Sequence, residues 1–183
     1  MRHVGYGHMI KTAIFDFDGT LADTIPLCLE AFRRAVNDLD GRVLTDREIE
    51  RNFGPDDLGV IRKLFPGKPE WHEHGRELFI HYYQELHAEM APAPFPGTVE
   101  LLHSLRNSGI RLAMVTGKRR ESADISLKFF HLDGFFPVLE TGSPEGGVKT
   151  DRINRALKRL GASAREAVYI GDSPSDVDAC RAV

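Results

Sequence analysis

Short apolar runs that stop at a polar residue are the clearest regularity along the chain. These runs cover residues 13–15, 112–115 and 167–170. Short runs that are apolar on both faces are typical of strands buried in a parallel sheet. A fourth run, 135–139, is weaker, because Pro137 cannot donate to a strand ladder, and we therefore predict it at a sheet edge.

Helical patterns lie between the later runs. They cover residues 97–108, 119–130 and 150–160. Alternation of strands and helices predicts right-handed crossovers and a doubly wound, mainly parallel α/β sheet. Such sheets bind ligands beyond the carboxyl ends of their strands, and Asp16, Thr116 and Asp172 fall at these ends. Ser173 and Pro174 have the residue types of a helix N-cap and first helical position.

The segment 22–93 has a different pattern. Apolar positions at helical spacing predict two long helices at 25–39 and 71–90, and a shorter one at 56–65. A proline-rich stretch, 91–97, then predicts a stiff hinge. We therefore expect a catalytic core built from 1–21 and 94–183, with 22–93 inserted as a helical cap after the first strand.

Composition and charge exclude several classes of protein. The 183 residues hold 24 Lys and Arg against 27 Asp and Glu, a net charge of −3, and 42% are hydrophobic. A packed globule fits these values, whereas a nucleic-acid binder needs excess positive charge. Two cysteines, Cys28 and Cys180, exclude a disulfide framework. No run reaches the length of a membrane-spanning helix, and residues 1–9 are too polar for a secretory signal, so we expect a cytoplasmic protein.

Four carboxylates are predicted to meet at one edge of the sheet. Asp16 and Asp18 follow the first strand, and Asp172 and Asp176 follow the last one. A hairpin turn at Asp18-Gly19 is the simpler alternative, but helical rather than alternating residues come after it. Clustered carboxylates repel one another unless a hard cation binds them, and oxygen ligands of this kind suit Mg²⁺.

Candidate phosphate ligands follow two other strands. Thr116 and Gly117 offer a hydroxyl and a backbone N–H at a strand end. Lys149 lies between a glycine-rich loop, 142–148, and a helix, a position from which its ammonium can reach a phosphate. An isolated lysine is more often solvated surface, so the case for Lys149 depends on this context.

The order of these motifs resembles the haloacid dehalogenase-like (HAD) phosphohydrolase superfamily. The matching segments are DFDGTLADT (16–24), VTGK (115–118), Lys149 and GDSPSD (171–176). Their spacing is similar to that of members with a C1 helical cap after the first motif, the phosphoglycolate phosphatase-like type. The first and last motifs are specific, and the resemblance covers nearly the whole chain.

The resemblance implies a role for each matching residue. Asp16 would be the nucleophile that forms a phospho-aspartate, and Asp18 would be the general acid and base. Mg²⁺ would be bound by Asp16, by the backbone carbonyl of Asp18 and by Asp172, with Asp176 supporting the site. Thr116 and Lys149 would hold the phosphoryl group. The resemblance thus implies a Mg²⁺-dependent phosphatase of small phosphorylated metabolites, such as phosphoglycolate or a sugar phosphate.

Two departures from the family pattern stand out. The lysine motif often continues Lys-Pro-x-Pro, but Thr150 follows Lys149 here. Family members also continue past the last motif through another helix and strand. We therefore expect the last core strand to be missing and the chain to be shortened.

Substrate selection is expected to come from the helical segment. Phe53, Gly54, Pro55 and Asp56 match the family loop that dips into the site. Nearby cations are more simply read as solvated helix charges, although they could attract an acidic substrate. These cations are Arg51, Arg62 and Lys63.

Other functions remain open at this level. A phosphosugar mutase similar to β-phosphoglucomutase would use the same phospho-aspartate and return the phosphoryl group to its substrate. A receiver-like phosphorylation switch also uses an aspartate, a threonine and a lysine, but it has no helical insert here. A silent binding protein is disfavoured by the intact motifs, and the oligomeric state is not predicted.

Overall fold

The computed structural model of the chain describes residues 9–183. The predictions drawn from the amino-terminal residues 1–8, including the start of the core at residue 1, lie outside this range. Among the described residues, no helix is long and apolar enough to cross a membrane.

The described residues contain one four-stranded parallel sheet. Its strands are β1 (Thr12–Phe15), β2 (Arg111–Val115), β3 (Val138–Glu140) and β4 (Ala167–Ile170), in the order β3-β2-β1-β4. Thr12 of β1 pairs with Arg111 on one side and with Ala167 on the other. The chain therefore reverses its direction of winding between β1 and β4, and this is the switch point where doubly wound sheets bind ligands. The predicted fold class is confirmed.

The edge strand β3 begins later than the pattern predicts. The run 135–139 was expected to be a strand, but the ladder starts at Val138. Pro137 has no N–H to donate, and Phe135 and Phe136 are buried against the core instead of pairing. The predicted edge position is confirmed.

The helices around the sheet agree with the periodicity. They are α5 (Thr98–Asn107), α6 (Arg120–Phe129), α7 (Lys149–Leu160), a 3₁₀ turn (Ala164–Glu166) and α8 (Pro174–Arg181). Helix α8 begins as predicted, because the Asp176 carboxylate accepts hydrogen bonds from the N–H and hydroxyl of Ser173.

The segment between β1 and α5 is helical. Its elements are α1 (Ile25–Asp40), α2 (Asp46–Glu50), α3 (Asp57–Leu64), a 3₁₀ turn (Pro69–Trp71) and α4 (His72–Met90). The sequence pattern did not predict α2, which is too short to show an apolar stripe. Thr45 and Glu48 form a capping box there, and this Thr-x-x-Glu spacing was the signal available in the sequence.

The sheet buries a different set of side chains on each face. Phe15 belongs to a core that continues into the helical segment, where Phe32 and Phe79 stack with ring centroids 4.1 Å apart. Ile14 points to the opposite face and packs with Ile153 of α7. The helical segment therefore shares apolar packing with the sheet, and this packing holds it above the carboxyl ends of the strands.

Candidate active site

Two aspartates meet at the switch point between β1 and β4. The N–H of Asp16, directly after β1, donates to the carbonyl of Ile170 at the end of β4 (2.8 Å). This bond brings the loop that carries Asp172 beside Asp16. One carboxylate oxygen from each of Asp16, Asp172 and Asp176 lies within 4.8 Å of the other two. The structure therefore brings three of the four predicted carboxylates together, whereas the side chain of Asp18 is not part of this group.

Gly19 makes room for this arrangement. Its φ is +74°, and a Cβ at this position would lie 2.2 Å from Oδ2 of Asp172. No side chain can occupy that position unless the carboxylate moves. The hydroxyl of Thr20 also donates to Asp172 (3.4 Å), so the loop after β1 positions the acid that follows β4.

The side chain of Asp18 is held by two donors from different elements. The hydroxyl of Thr24, just before α1, and Nζ of Lys118, after β2, both donate to its Oδ1, at 2.5 and 3.0 Å. The other carboxylate oxygen is free of these two bonds. This geometry fixes the orientation of a carboxyl group placed two residues after Asp16.

Lys118 is a site residue that sequence reasoning missed. Its side chain is buried, with Nζ 3.3 Å from Sγ of Cys28 and 4.4 Å from the ring centroid of Tyr83. Burial alone would lower its pKa, but the negative charge of Asp18 raises the pKa well above its ordinary value. Its position in the segment 115–118, directly after a buried strand, was the available signal.

Lys149 contacts two of the three clustered carboxylates. Its Nζ contacts both Asp16 and Asp176, at the point where α7 begins. Burial opposes the ammonium form, but the charge of Asp16 and the bonds to both acids raise the pKa of Lys149. The amine therefore stays charged beside the carboxylate of Asp16.

The two acids that Lys149 contacts have pKa values shifted in opposite directions. Burial raises the pKa of Asp16 to about 6, although Lys149 and the N–H of Phe17 oppose the change. At Asp176, burial also raises the pKa, but the hydrogen bonds from Lys149 and Ser173 outweigh it and leave the pKa below its usual value.

Thr116 and Gly117 continue from β2 into the same site. The hydroxyl oxygen of Thr116 accepts the N–H of Lys118 (3.1 Å), which leaves its hydrogen available as a donor. Thr116 is fully buried, whereas Gly117 lies on the cavity wall. Gly117 therefore shares the cavity wall with Asp16 and Asp172, and Thr116 directly precedes it in the chain.

A cavity of about 240 Å³ opens over these residues. Its walls combine the carboxyl ends of the strands with the helical segment. The described residues that line it are Asp16, Asp18, Ile25, Cys28, Phe32, Phe53, Gly54, Asp56, Asp57, Val60, Gly117, Lys118, Lys149, Asp172, Ser173 and Ser175. Of the predicted site residues, Thr116, Pro55 and Asp176 are not among the residues that line it.

The predicted specificity loop, 53–56, contacts the loops that follow β2 and β3. A Cβ on Gly142, in the loop after β3, would lie 2.2 Å from the carbonyl oxygen of Gly117 and 2.6 Å from that of Pro55. The buried carboxylate of Asp56 also pairs with Arg119 (3.3 Å). The loop 53–56 is therefore in close contact with the loops that follow β2 and β3.

The cations named as possible ligands for an acidic substrate do not line the cavity. Arg62 donates to the carbonyl of Pro144, and Lys63 donates to the carbonyl of Phe53. Arg51 is exposed. Their interpretation as surface charges is supported by these positions.

Asp57 is a second cavity residue that the sequence analysis did not single out. It begins α3, is buried, and accepts a hydrogen bond from the hydroxyl of Ser122 in α6. Burial raises its pKa to about 6, although the charge of Lys118 and the Ser122 bond oppose the change. An acid at the start of a short helix usually only complements the helix dipole, which is why its position alone carried no signal.

The donor atoms at the sheet edge fit Mg²⁺. The side-chain donors of Asp16 and Asp172 are carboxylate oxygens, which are hard ligands, and Gly19 leaves Asp172 free to approach. Both carboxylate oxygens of Asp176 already accept hydrogen bonds, from Lys149 and from Ser173. Asp176 is therefore better suited to supporting the site than to binding the metal directly. Thiols and imidazoles are absent from this acidic cluster of described residues.

This fold and this site define a class of protein: an α/β enzyme that carries carboxylates and a lysine at the switch point of a parallel sheet. The family model described as haloacid dehalogenase-like hydrolase matches residues 13–183. The chain belongs to that family, and the resemblance inferred from the motifs is confirmed, as is the expectation of an enzyme of the hydrolase class.

Several known proteins are similar to this chain in sequence or in fold. Pyrophosphatase PpaX of Halalkalibacterium halodurans is 30% identical over 172 residues, which span 92% of this chain and 77% of that protein. CbbY of Rhodobacter sphaeroides, solved with phosphate, has a TM-score of 0.81 at 24% identity, covering 94% of this chain and 82% of that one. A predicted phosphoglycolate phosphatase from Haemophilus somnus 129pt has a TM-score of 0.77 at 20% identity, with 94% and 81% covered. The two solved structures share this fold.

Proposed function

We propose that this protein is a Mg²⁺-dependent phosphatase that hydrolyses a small phosphorylated metabolite through a phospho-aspartate on Asp16. The observation that carries the proposal is the meeting of Asp16, Asp172 and Lys149 at the switch point, beneath a small cavity. The family assignment and the pyrophosphatase name of a relative at 30% identity support phosphoryl chemistry.

Asp16 would perform the covalent step. A carboxylate oxygen of Asp16 forms a bond to phosphorus while the bond from phosphorus to the leaving oxygen breaks. Water then attacks the phospho-aspartate, phosphate leaves, and the Asp16 carboxylate is restored. Dividing a slow hydrolysis into two displacements lowers each barrier.

Asp18 would move the protons of both displacements. It donates a proton to the leaving oxygen in the first step and accepts one from the attacking water in the second. The bonds from Thr24 and Lys118 to one carboxylate oxygen support this role, because they orient the carboxyl group and leave its other oxygen for the reacting group.

Positive charge and hydrogen-bond donors would hold the phosphoryl group. Lys149 balances the negative charge of Asp16, so that an anion can approach an anion. The hydroxyl of Thr116 and the N–H of Gly117 are suited to donate to phosphoryl oxygens. Asp16, Asp172 and the carbonyl of Asp18 would bind Mg²⁺, which supplies further positive charge against the phosphoryl oxygens.

The helical segment 22–93 would act as a cap that excludes water from the reaction. Residues from α1, from α3 and from the loop 53–56 form one side of the cavity. A closed site strengthens every electrostatic interaction within it and protects the phospho-aspartate from premature contact with bulk solvent. The proline-rich stretch 91–97 is the candidate hinge.

Hydrolysis fits the cavity better than a mutase reaction. A phosphosugar mutase binds a second phosphoryl group on the cap side and needs cations there. The described residues that α1 contributes to that wall are Ile25, Cys28 and Phe32, and those of α3 are Asp57 and Val60. None of these side chains is a cation.

The test is a screen of phosphorylated metabolites and pyrophosphate for phosphate release, with and without Mg²⁺. We expect turnover of at least one compound with Mg²⁺ and its loss on chelation. Asp16→Asn keeps the volume of the side chain but removes the nucleophile, so phosphate release should fall by at least about a thousandfold.

Asp124→Asn is the matched control, because Asp124 pairs with Arg120 on the exposed face of α6. Its activity should equal that of the wild type. Near-normal activity in Asp16→Asn, with an intact circular dichroism spectrum, would refute the covalent route.

A further inference from the structure

Carboxylates outnumber cationic side chains among the described residues that line the cavity. Five carboxylates line it, from Asp16, Asp18, Asp56, Asp57 and Asp172, against the ammonium groups of two lysines among the described residues. Both lysines already have carboxylate partners: Lys118 bonds to Asp18, and Lys149 contacts Asp16 and Asp176. Apart from the proposed Mg²⁺, which the reacting phosphoryl group would contact, the described lining residues thus offer a second anion no cationic side chain that lacks a carboxylate partner.

The wall that would face the leaving group is apolar or acidic. Ile25 and Phe32 of α1 and Val60 of α3 form its apolar part. Asp57 is its acidic part, and the buried Asp56 is already paired with Arg119. An anion pressed against this wall would lose its hydration and gain no partner, which is costly.

Cavity size restricts the leaving group further. The volume of about 240 Å³ must hold the phosphoryl group as well as the leaving group. Drug-sized ligands occupy pockets of about 300 to 1,000 Å³. The remaining space therefore suits a leaving group of only a few non-hydrogen atoms.

We infer that the preferred substrate is a phosphate monoester whose leaving alcohol is small and carries no second negative charge, and that Asp57 enforces this selection. The inference rests on the proposed phosphatase function and narrows its substrate class. It disfavours phosphoglycolate and pyrophosphate as good substrates, because each has a second anionic group beside the reacting phosphorus.

The pKa of Asp57 is consistent with this selection. Burial raises the pKa to about 6, and a group with that pKa is mostly ionised at pH 7.5. A leaving group that is neutral avoids repulsion from this carboxylate. The hydroxyl of Ser122 binds one of the Asp57 oxygens, which keeps the side chain in place.

The experiment compares 2-phosphoglycolate with its carboxamide analogue, which has the same size and no second charge. We expect kcat/KM for the carboxamide to be at least about tenfold higher in the wild-type enzyme with Mg²⁺. Asp57→Asn should reduce this preference about fivefold, because it removes the charge and keeps the shape. Equal or better turnover of phosphoglycolate by the wild type would overturn the inference.

A second variant distinguishes a change in substrate preference from a folding defect. Phe53 lines the cavity but is partly exposed, so Phe53→Arg adds a cation at its rim. This variant should improve phosphoglycolate turnover about fivefold relative to the carboxamide, a gain that misfolding cannot produce. Asp124→Asn, outside the cavity, should leave the preference unchanged, and an unchanged preference in both cavity variants would contradict the role of charge.

Two further measurements separate this inference from the proposed function. Mg²⁺-dependent hydrolysis of acetyl phosphate, whose leaving acetate is small and whose acetyl group carries no second charge, reports on phosphatase chemistry itself, so its absence counts against the proposed function. Calorimetric binding of the two ligands to the Asp16→Asn variant reports on selection without turnover. Tighter binding of the carboxamide supports the inference, and tighter binding of phosphoglycolate overturns it.

Discussion

At the scale of single residues, the organisation of the site depends on which oxygen of each carboxylate is occupied. One oxygen of Asp18 accepts from both Thr24 and Lys118, and this leaves the other for proton transfer. Lys118 follows β2, whereas Thr24 precedes α1, so the two donors meet only because the chain folds back over the sheet. Lys118 is therefore a positioning residue for the proposed acid and base.

We predict that Lys118→Met lowers kcat by about ten- to a hundredfold and leaves KM within about threefold. The variant removes the ammonium that orients Asp18, and general acid–base catalysis contributes about 10²- to 10⁴-fold in enzymes. Steady-state phosphate release from the best substrate measures kcat and KM separately. Lys128→Met, at an exposed position on α6, is the control.

A purely structural role for Lys118 predicts a different result. It would lower thermal stability and the concentration of active enzyme, without changing kcat per active site. Titration of active sites alongside the kinetics distinguishes the two cases, and an unchanged kcat per site would contradict the positioning role.

At the scale of elements, the edge strand β3 is tied to helix α7 by charge. The carboxylate of Glu140, at the end of β3, accepts hydrogen bonds from Arg155 and Arg159, at 2.8 and 2.9 Å. Partial burial of Glu140 would raise its pKa, but the two guanidinium groups outweigh this and lower it. The arginine side chains are about half exposed, so solvent screens part of the attraction.

We predict that Glu140→Gln lowers the free energy of unfolding by about 1 kcal/mol at pH 7. Because the pKa of Glu140 is lower in the folded state, its stabilisation is present above the ordinary pKa of 4.5 and is lost as pH falls through the folded-state pKa. The difference between wild type and variant should therefore shrink below about pH 4.5. Urea unfolding between pH 3.5 and 7 measures it.

Glu89→Gln, on the exposed face of α4, is the control for this prediction. It should leave stability within about 0.5 kcal/mol at every pH. A Glu140→Gln difference that grows as the pH is lowered would have the wrong sign for a depressed pKa.

At the scale of the whole molecule, three loops from distant parts of the chain pack tightly against one another: the loop 53–56 and the loops that follow β2 and β3. Gly142 packs against the carbonyls of Gly117 and Pro55, and it therefore lies where the helical segment contacts the loops after β2 and β3. Arg119 and Asp56 form an ion pair across the same contact. The contact between the helical segment and the loops after β2 and β3 therefore depends on this fit.

We predict that Gly142→Ala separates these loops. The added Cβ would clash with backbone atoms, which cannot rotate away, so we expect a loss of about 1 to 3 kcal/mol in stability and a several-fold rise in KM. Differential scanning calorimetry and steady-state kinetics measure the two effects. Gly134→Ala, where a Cβ meets nothing within 4 Å, should change neither, and equal effects of the two variants would contradict this account.

Much of the fold and part of the site could be predicted from local patterns. Apolar runs ending at Asp16, Thr116 and Asp172 indicate parallel strands, because only strands buried on both faces are apolar throughout. Helical spacing locates the long helices within one or two residues. The short helix α2 was missed, since a helix of five residues shows a cap but no stripe.

The amino-acid sequence specifies which residue follows each strand, and it places those residues at one edge of the sheet, because parallel strands end on the same side. Which residues of the helical segment face that edge depends on how the helices pack. Lys118 and Asp57 became site residues through contacts across 90 and 65 positions of sequence, with Cys28 and Ser122 respectively. Such contacts depend on how α1, α3 and α6 pack together, and no local pattern encodes that packing.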